Sequence, residues 1–294
     1  MRRSNVVREN LTAWIFLLPS LIFLVMFTLY PILSTFISSF YKSDLSTIEP
    51  IFIGFDNYAI MMKDEVFRKA FINNIWFTIG TVPTSVLLGL LLAILVNRTF
   101  VGKVMSRVFF FYPVVIPMVA VSFIWLFFYT PDYGMINSIL KLIGFEELNL
   151  LGNSGTALLS IIIMVIWKEA GFFMIFYLAA LQNIPKDLIE AARIDGASKW
   201  RQFRSVIFPL LMPTTLFSII IATTNAFKTV DQLVVMTQGG PNNASNLLLY
   251  YIYENTFRFM DYGRAATVTV IVLMIMVSIA AIQFFAADKK IHYS

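Results

Sequence analysis

Six long apolar stretches dominate this chain: approximately Trp14 to Phe40, Phe71 to Asn97, Val104 to Thr130, Thr156 to Gln182, Pro209 to Met236 and Gly263 to Ala287. One helix needs about 20 apolar residues to cross a hydrocarbon core of about 30 Å, so each block is long enough to span a bilayer. Lipid offers no partner for backbone polar groups, which leaves helices or a closed barrel as spanning structures. Barrel strands would alternate over about ten residues, and these blocks do not alternate. Composition agrees: 59% of the 294 residues are hydrophobic and 13% charged, against roughly 25% charged in a soluble domain. The expectation is an all-α, polytopic integral membrane protein with about six transmembrane helices, one membrane domain over residues 1–294. Pro19, Pro31, Pro83, Pro113 and Pro117 fall inside spans, so kinked helices packed in a bundle are expected.

MRRSNVVREN ahead of the first block resembles the start of a secretory signal, but the apolar run is longer than the roughly 7 to 15 residues of a signal and lacks a small-residue cleavage site. It is read as a retained signal anchor. With no cysteine, disulfide and thiol chemistry are excluded.

Orientation follows the basic residues. With the N-terminus inside, the inner segments carry Arg2, Arg3, Arg8, Arg98, Lys103, Arg107, Lys186, Arg193, Lys199, Arg201, Arg204, Lys289 and Lys290. The opposite segments carry only Lys42, Lys63, Arg68, Lys69, Lys141, Arg258 and Arg264. Both termini are therefore expected in the cytoplasm, and the net charge of +5 is read as contact with an anionic inner leaflet rather than with nucleic acid. Outer loops then run Tyr41 to Ala70, Pro131 to Gly155 and Thr237 to Tyr262, and the long inner loop is Asn183 to Phe208.

That inner loop is the most polar part of the chain. Pro185 suits a helix start, Asp187 and Glu190 sit near the positive end of the helix dipole, and Glu190 is placed to pair with Arg193. Gly196 suits the left-handed turn that ends a helix. A second helix is expected from Ser198, with Trp200, Phe203 and Ile207 on one side. By shape alone this is equally a helix resting on lipid headgroups.

The order of residues adds more. Glu190-Ala191-Ala192, three residues, Gly196, nine residues, then Val206-Ile207-Phe208-Pro209 resembles the EAA loop of membrane subunits in binding-protein-dependent ATP-binding-cassette importers. That family usually ends the motif Ile-x-Leu-Pro, and both departures here keep an apolar residue. FIGFDNY at Phe52 to Tyr58, ALQNIP at Ala180 to Pro185 and TQGGP at Thr237 to Pro241 resemble its carbohydrate-uptake branch. The resemblance implies the type I importer permease fold in a bacterial or archaeal cell membrane. It also implies a second homologous permease, a cytoplasmic ATPase dimer, an extracytoplasmic substrate-binding protein and a carbohydrate cargo as partners, and no cofactor.

In that family the loop couples to the ATPase. The implied coupling residues are Glu190, Ala191, Ala192, Asp195, Gly196, Trp200 and Phe203, with plain helix-forming the bland reading of the two alanines. Asp56, Asn57 and Tyr58, and Gly239, Gly240 and Pro241, are docking candidates for the binding protein. Gly54 with Asp56-Asn57 also makes a turn unaided, which favours loop folding for the first group.

If this chain moves solute with ATP, a partner hydrolyses it. Gly102-Lys103 has no glycine five places before it and is followed by Val104, so no phosphate-cradling P-loop is present. A single histidine, His292, leaves no H-E-x-x-H metal site, and no GxSxG elbow occurs.

Lys168 and Glu169 fall in the fourth span, Lys228 and Asp231 in the fifth. Ionisable groups at such depth cost several kcal/mol unless paired or wetted, so they should face the bundle interior or a water-filled cavity. Lys228 and Asp231, three apart on one helix, can touch, whereas Lys168 and Glu169 point about 100° apart and each needs a partner elsewhere. These four, with Thr224, Asn225 and Gln232, form the expected translocation path; the bland reading is that the charges pin helices together or bind the partner permease. Competing functions are a glycerol-3-phosphate importer subunit of the same family, an ion-coupled secondary transporter using Glu169 or Asp231, and a membrane protein without transport.

Overall fold

The computed structural model describes residues 14–97 and 102–288, so Arg2, Arg3, Arg8, Arg98, Lys289 and Lys290 of the charge count lie outside the described residues. The chain divides into two units, residues 1–63 with 252–271 and residues 64–251 with 272–294.

In the first unit, helix α1 (Trp14–Ser38) is apolar on every side and has no buried residue in its most hydrophobic stretch, the pattern of a helix bathed in lipid. A π-turn interrupts it at Val25–Leu29, just ahead of Pro31. A two-stranded antiparallel ribbon follows, β1 (Tyr41–Lys42) paired with β2 (Ile51–Phe52). Then comes helix α2 (Asp56–Lys63). Buried Asn57 ties this corner together, its amide donating to the carbonyls of Ser39 at 3.0 Å and Tyr41 at 2.9 Å.

The second unit holds the helix bundle. Its members are α3 (Glu65–Asn97), α4 (Lys103–Val115), α5 (Met118–Tyr129), α6 (Met135–Leu142), α7 (Ala157–Asn183), α8 (Lys186–Ile194), α9 (Lys199–Phe227) and α10 (Asp231–Met236). After them come α11 (Leu248–Tyr253) and α12 (Tyr262–Asp288), which the division between units crosses. Helices α3 and α7 share the most extensive packing, around buried Phe77, Phe173, Met174 and Tyr177. α9 packs on both, and α4 packs on α7. At Gly171 even a methyl group would lie 2.1 Å from the Phe110 carbonyl oxygen, so only glycine lets α7 approach α4 this closely.

Among the described residues, five helices are long and apolar enough to cross a membrane, and the bent pair α4 and α5 makes up to six. Three boundaries correct the sequence reading. The third block is not one continuous helix: α4 and α5 meet at 101°. Pro117 drives Ile116 out of the helical region, to φ −72°, ψ 131°, and Pro113 has already removed a hydrogen bond one turn earlier. The fifth block does not reach Met236 as one helix, because α9 ends at Phe227 and the chain is irregular through Val230. The second span starts at Glu65, six residues before the apolar block, because Asp64 accepts a bond from the Phe67 amide at 2.9 Å and caps the first turn.

Candidate functional site

The break between α4 and α5 leaves carbonyls that no amide in the next turn can reach. Lys168, on α7, fills that need. Its ammonium donates to the carbonyls of Ile116 at 2.6 Å, Pro113 at 2.8 Å and Val114 at 3.4 Å. Gly171, one turn along the same helix, makes the close approach that puts the ammonium within reach. The partner that this half-buried lysine needs is thus supplied by backbone. Pro113 and Pro117 were the signal that could have found it.

Glu169 turns to a different neighbour. Its Oε1 accepts a hydrogen bond from the Asn225 amide of α9 at 3.1 Å, which brings together two of the residues expected on the path. Thr224, next in sequence, donates to the Ile220 carbonyl at 2.9 Å and lines a small cleft of about 20 Å³ with Thr223 and Gln283. Gln283 donates to the Thr223 hydroxyl at 3.1 Å. Gln232 is buried, and its amide nitrogen has no partner among the described residues.

The expected contact between Lys228 and Asp231 is not made. Helix α9 stops before Lys228, whose amide still bonds back to Asn225 at 3.0 Å, and α10 begins only at Asp231, so the two no longer share a helical face. Both side chains are exposed and form no ion pair with a described residue.

An apolar cavity lies elsewhere. A groove of about 530 Å³ is lined by Leu88, Leu92, Met105, Val108, Phe109 and Trp167 among others. It carries no charged group and suits acyl chains better than a hydroxylated solute.

The loop at 183–208 folds as its sequence dictates. Pro185 precedes α8 as N-cap. Gly196, at φ +76°, ends it in a Schellman turn: the Ala197 amide donates to the Ala192 carbonyl at 2.9 Å and the Gly196 amide to that of Arg193 at 3.0 Å. The Ser198 hydroxyl caps the next helix through the Arg201 amide at 3.3 Å. Buried Gln202 closes the corner, its amide donating to the Ala197 carbonyl at 2.7 Å.

From Lys199 the chain runs through a π-turn at Phe203–Ile207 directly into the rest of α9. Glu190, Ala191, Asp195, Gly196 and Trp200 are exposed, and Ala192 and Phe203 are half-buried. The expected Glu190–Arg193 pair does not form, so the Glu190 carboxylate projects without a partner among the described residues. Trp200 stacks on Phe203 at 5.8 Å, and Phe203 touches Phe208 at 6.0 Å. Phe203 therefore belongs to the base of the span, while Trp200, 69% exposed, faces outward.

Of the docking candidates, Asn57 and Gly239 are buried, which removes their side-chain positions from any contact surface. Tyr58 meets the Ser39 hydroxyl at 2.7 Å. In the TQGGP segment, the Gly240–Pro241 peptide is cis. The Ser245 hydroxyl joins Thr237 Oγ1 at 2.8 Å and donates to the Gly240 carbonyl at 2.6 Å. Asn73 of α3 anchors the same loop through the carbonyls of Asn243 and Asn246. Asp56 is exposed, and Gly240 and Pro241 are partly so.

A bundle of apolar helices with polar residues buried in its spans and a helix–turn–helix polar loop is a multi-pass membrane protein. Residues 85–290 match the binding-protein-dependent transport system inner membrane component, and the chain belongs to that family. It is 33% identical over 275 residues to the sulfoquinovosyl glycerol transport system permease protein SmoG of Agrobacterium fabrum, covering 93% of this chain and 89% of the relative. It is 34% identical over 295 residues to the lactose transport system permease protein LacF of Rhizobium radiobacter, covering 98% of each. A chain of a bacterial ABC transporter involved in the import of the acidic polysaccharide alginate has the same fold, with TM-score 0.85, 22% identity, and coverage of 98% of this chain and 99% of that one.

Proposed function

We propose that this permease is the membrane subunit of an ATP-driven importer for a carbohydrate. Its termini face the cytoplasm, and it pairs with a second permease above an ATPase dimer while a binding protein delivers cargo from outside. The observation that carries the reading is the 183–208 loop, where an exposed helix with an unpaired Glu190 turns at Gly196 straight into membrane helix α9. Such a segment can seat in a partner and pass displacement to the bundle. Glu190 meets a basic or polar group of the ATPase, Ala191 and Ala192 allow close approach, Asp195 and Gly196 form the corner, and Trp200 offers an apolar plug. Glu169, Asn225 and Thr224 lie toward the path, while Lys168 shapes it.

Family relatives carry sugars in their names, and others carry sn-glycerol-3-phosphate, which stays the alternative cargo. The test is uptake in membrane vesicles holding the whole complex. ATP should drive accumulation that a protonophore leaves intact; the opposite result favours an ion-coupled carrier using Glu169. Glu190→Ala and Gly196→Pro should abolish binding-protein-stimulated ATP hydrolysis while the permease stays in the membrane. Unchanged hydrolysis and uptake in both variants would remove the loop from the mechanism.

A further inference from the structure

The apolar groove between α3, α4 and α7 has no role in solute passage. Trp167 and Gly171 of α7 form its floor, and both lie about 160° around that helix from Glu169, so the groove opens away from the polar residues. Leu88 and Leu92 of α3 make one wall, and Met105, Phe109 and Tyr112 of α4 the other. From Met105 to Pro113 the α4 wall rises roughly 12 Å, close to half of a hydrocarbon core of about 30 Å. It stops at Pro113, where the 101° break turns the chain aside. A space of about 530 Å³ with no charged group in its lining does not suit water, which needs roughly two to four polar partners. Left empty, it forfeits dispersion contacts around its whole lining. Hydrocarbon satisfies both conditions.

A neighbouring helix is a poor occupant. Membrane helices associate through small residues and interhelical hydrogen bonds, and the rim offers neither: Leu91, Leu95, Met105, Val108 and Phe109 are all bulky and exposed. Away from the break the groove runs toward the start of α4, which begins with Lys103. Arg107 follows one turn later; its Nε is buried without a hydrogen-bond partner among the described residues, and it forms no ion pair with one. Two basic residues at that end complement a phosphate. We propose that the groove holds an acyl chain of an anionic phospholipid, drawn from the leaflet that meets the start of α4, where Lys103 and Arg107 favour its headgroup. The chain fills the wedge between α3 and α4 and supports α4 on Gly171, the contact that brings Lys168 to the break.

The site goes beyond the importer reading, and its test reads lipid rather than transport, so either can fail alone. The permease, purified with whatever subunits accompany it, is offered equal amounts of phosphatidylglycerol and phosphatidylcholine carrying the same chains, and retained lipid is counted by native mass spectrometry. Wild type should prefer phosphatidylglycerol by at least about fivefold, a modest share of what two basic groups near a phosphate supply. Val108→Trp and Met105→Trp bring bulk into the groove from exposed positions, and each should cut retention at least about fivefold. Met274→Trp, exposed on α12, should leave it unchanged. Lys103→Gln combined with Arg107→Gln should equalise the two lipids. A photoreactive benzophenone in place of the Phe109 ring should label lipid in intact membranes, which keeps the proposal testable if a groove variant fails to fold. Equal retention of both lipids by wild type, undiminished retention in the folded groove variants, or a benzophenone product with another protein chain instead of lipid overturns the site.

Discussion

Two membrane helices of this permease are broken, and the breaks are built differently. Between α4 and α5 the chain turns by 101°, and the exposed carbonyls are held by Lys168 from another helix. After α9 the chain unwinds over Lys228–Val230 and satisfies itself locally, the Lys228 amide and the Thr229 hydroxyl returning to the Asn225 carbonyl at 3.0 and 3.2 Å. Both breaks have a lysine beside them. One is structural because three carbonyls converge on it, and the other stands exposed. What a charged residue does in a membrane protein is decided by the unsatisfied backbone around it, more than by its identity or depth.

The comparison can be broken most severely at Gly171. Gly171→Leu puts a side chain into the Phe110 carbonyl, forces α7 from α4 and withdraws the lysine from the break; loss of folded permease from the membrane is expected, read by quantitative immunoblotting. Next, Lys168→Met leaves the carbonyls uncapped at a cost of about 2–3 kcal/mol, seen as a lower unfolding temperature in detergent, with partial rescue by Lys168→Arg. Asn225→Ala loses one interhelical hydrogen bond, about 0.6 kcal/mol by the bacteriorhodopsin average. Lys228→Met and Asp231→Asn should each change stability by less than about 0.5 kcal/mol, since both groups are exposed and unpaired. Equal effects of Lys168→Met and Lys228→Met in one thermal assay would erase the distinction between the breaks.

The smallest effect belongs to a charge outside the spans. The bond from Lys141, and then that from the Asp132 amide, hold the Glu147 carboxyl below the usual carboxylate range. A depressed carboxylate adds stability above its unfolded pKa and loses it as pH falls through the folded one. Hydrogen exchange across α6 should therefore quicken only under acid conditions, and Glu147→Gln should abolish that pH dependence.

How much was legible depended on the scale of each feature. The spans were legible because about 20 apolar residues have few other fates, and the 183–208 corner because Pro185, Gly196 and Ser198 each act within one turn. The ends of spans were less so: hydropathy continues past Phe227 and through Ile116, while the backbone does not. Glu169 was recognised as needing a partner, but nothing in its spacing picks Asn225, 56 residues away. The ion pairs read from helical spacing, Glu190 with Arg193 and Lys228 with Asp231, failed for separate reasons. The first pair is solvated on both sides, and the second sits on a helix that ends too soon. Lys168 was likewise read as needing a partner elsewhere; that the partner is peptide backbone could not be named from the spacing of charged residues.

The run of helix from Lys199 to Phe227 has a mechanical consequence. At 1.5 Å per residue those 29 residues form an arm of roughly 40 Å, with Trp200 at one tip and Asn225 near the other. Packed on α3 and α7, such an arm carries a sideways push at one tip toward the other. Mechanical work done on the polar corner would then arrive beside Glu169 without crossing a flexible joint.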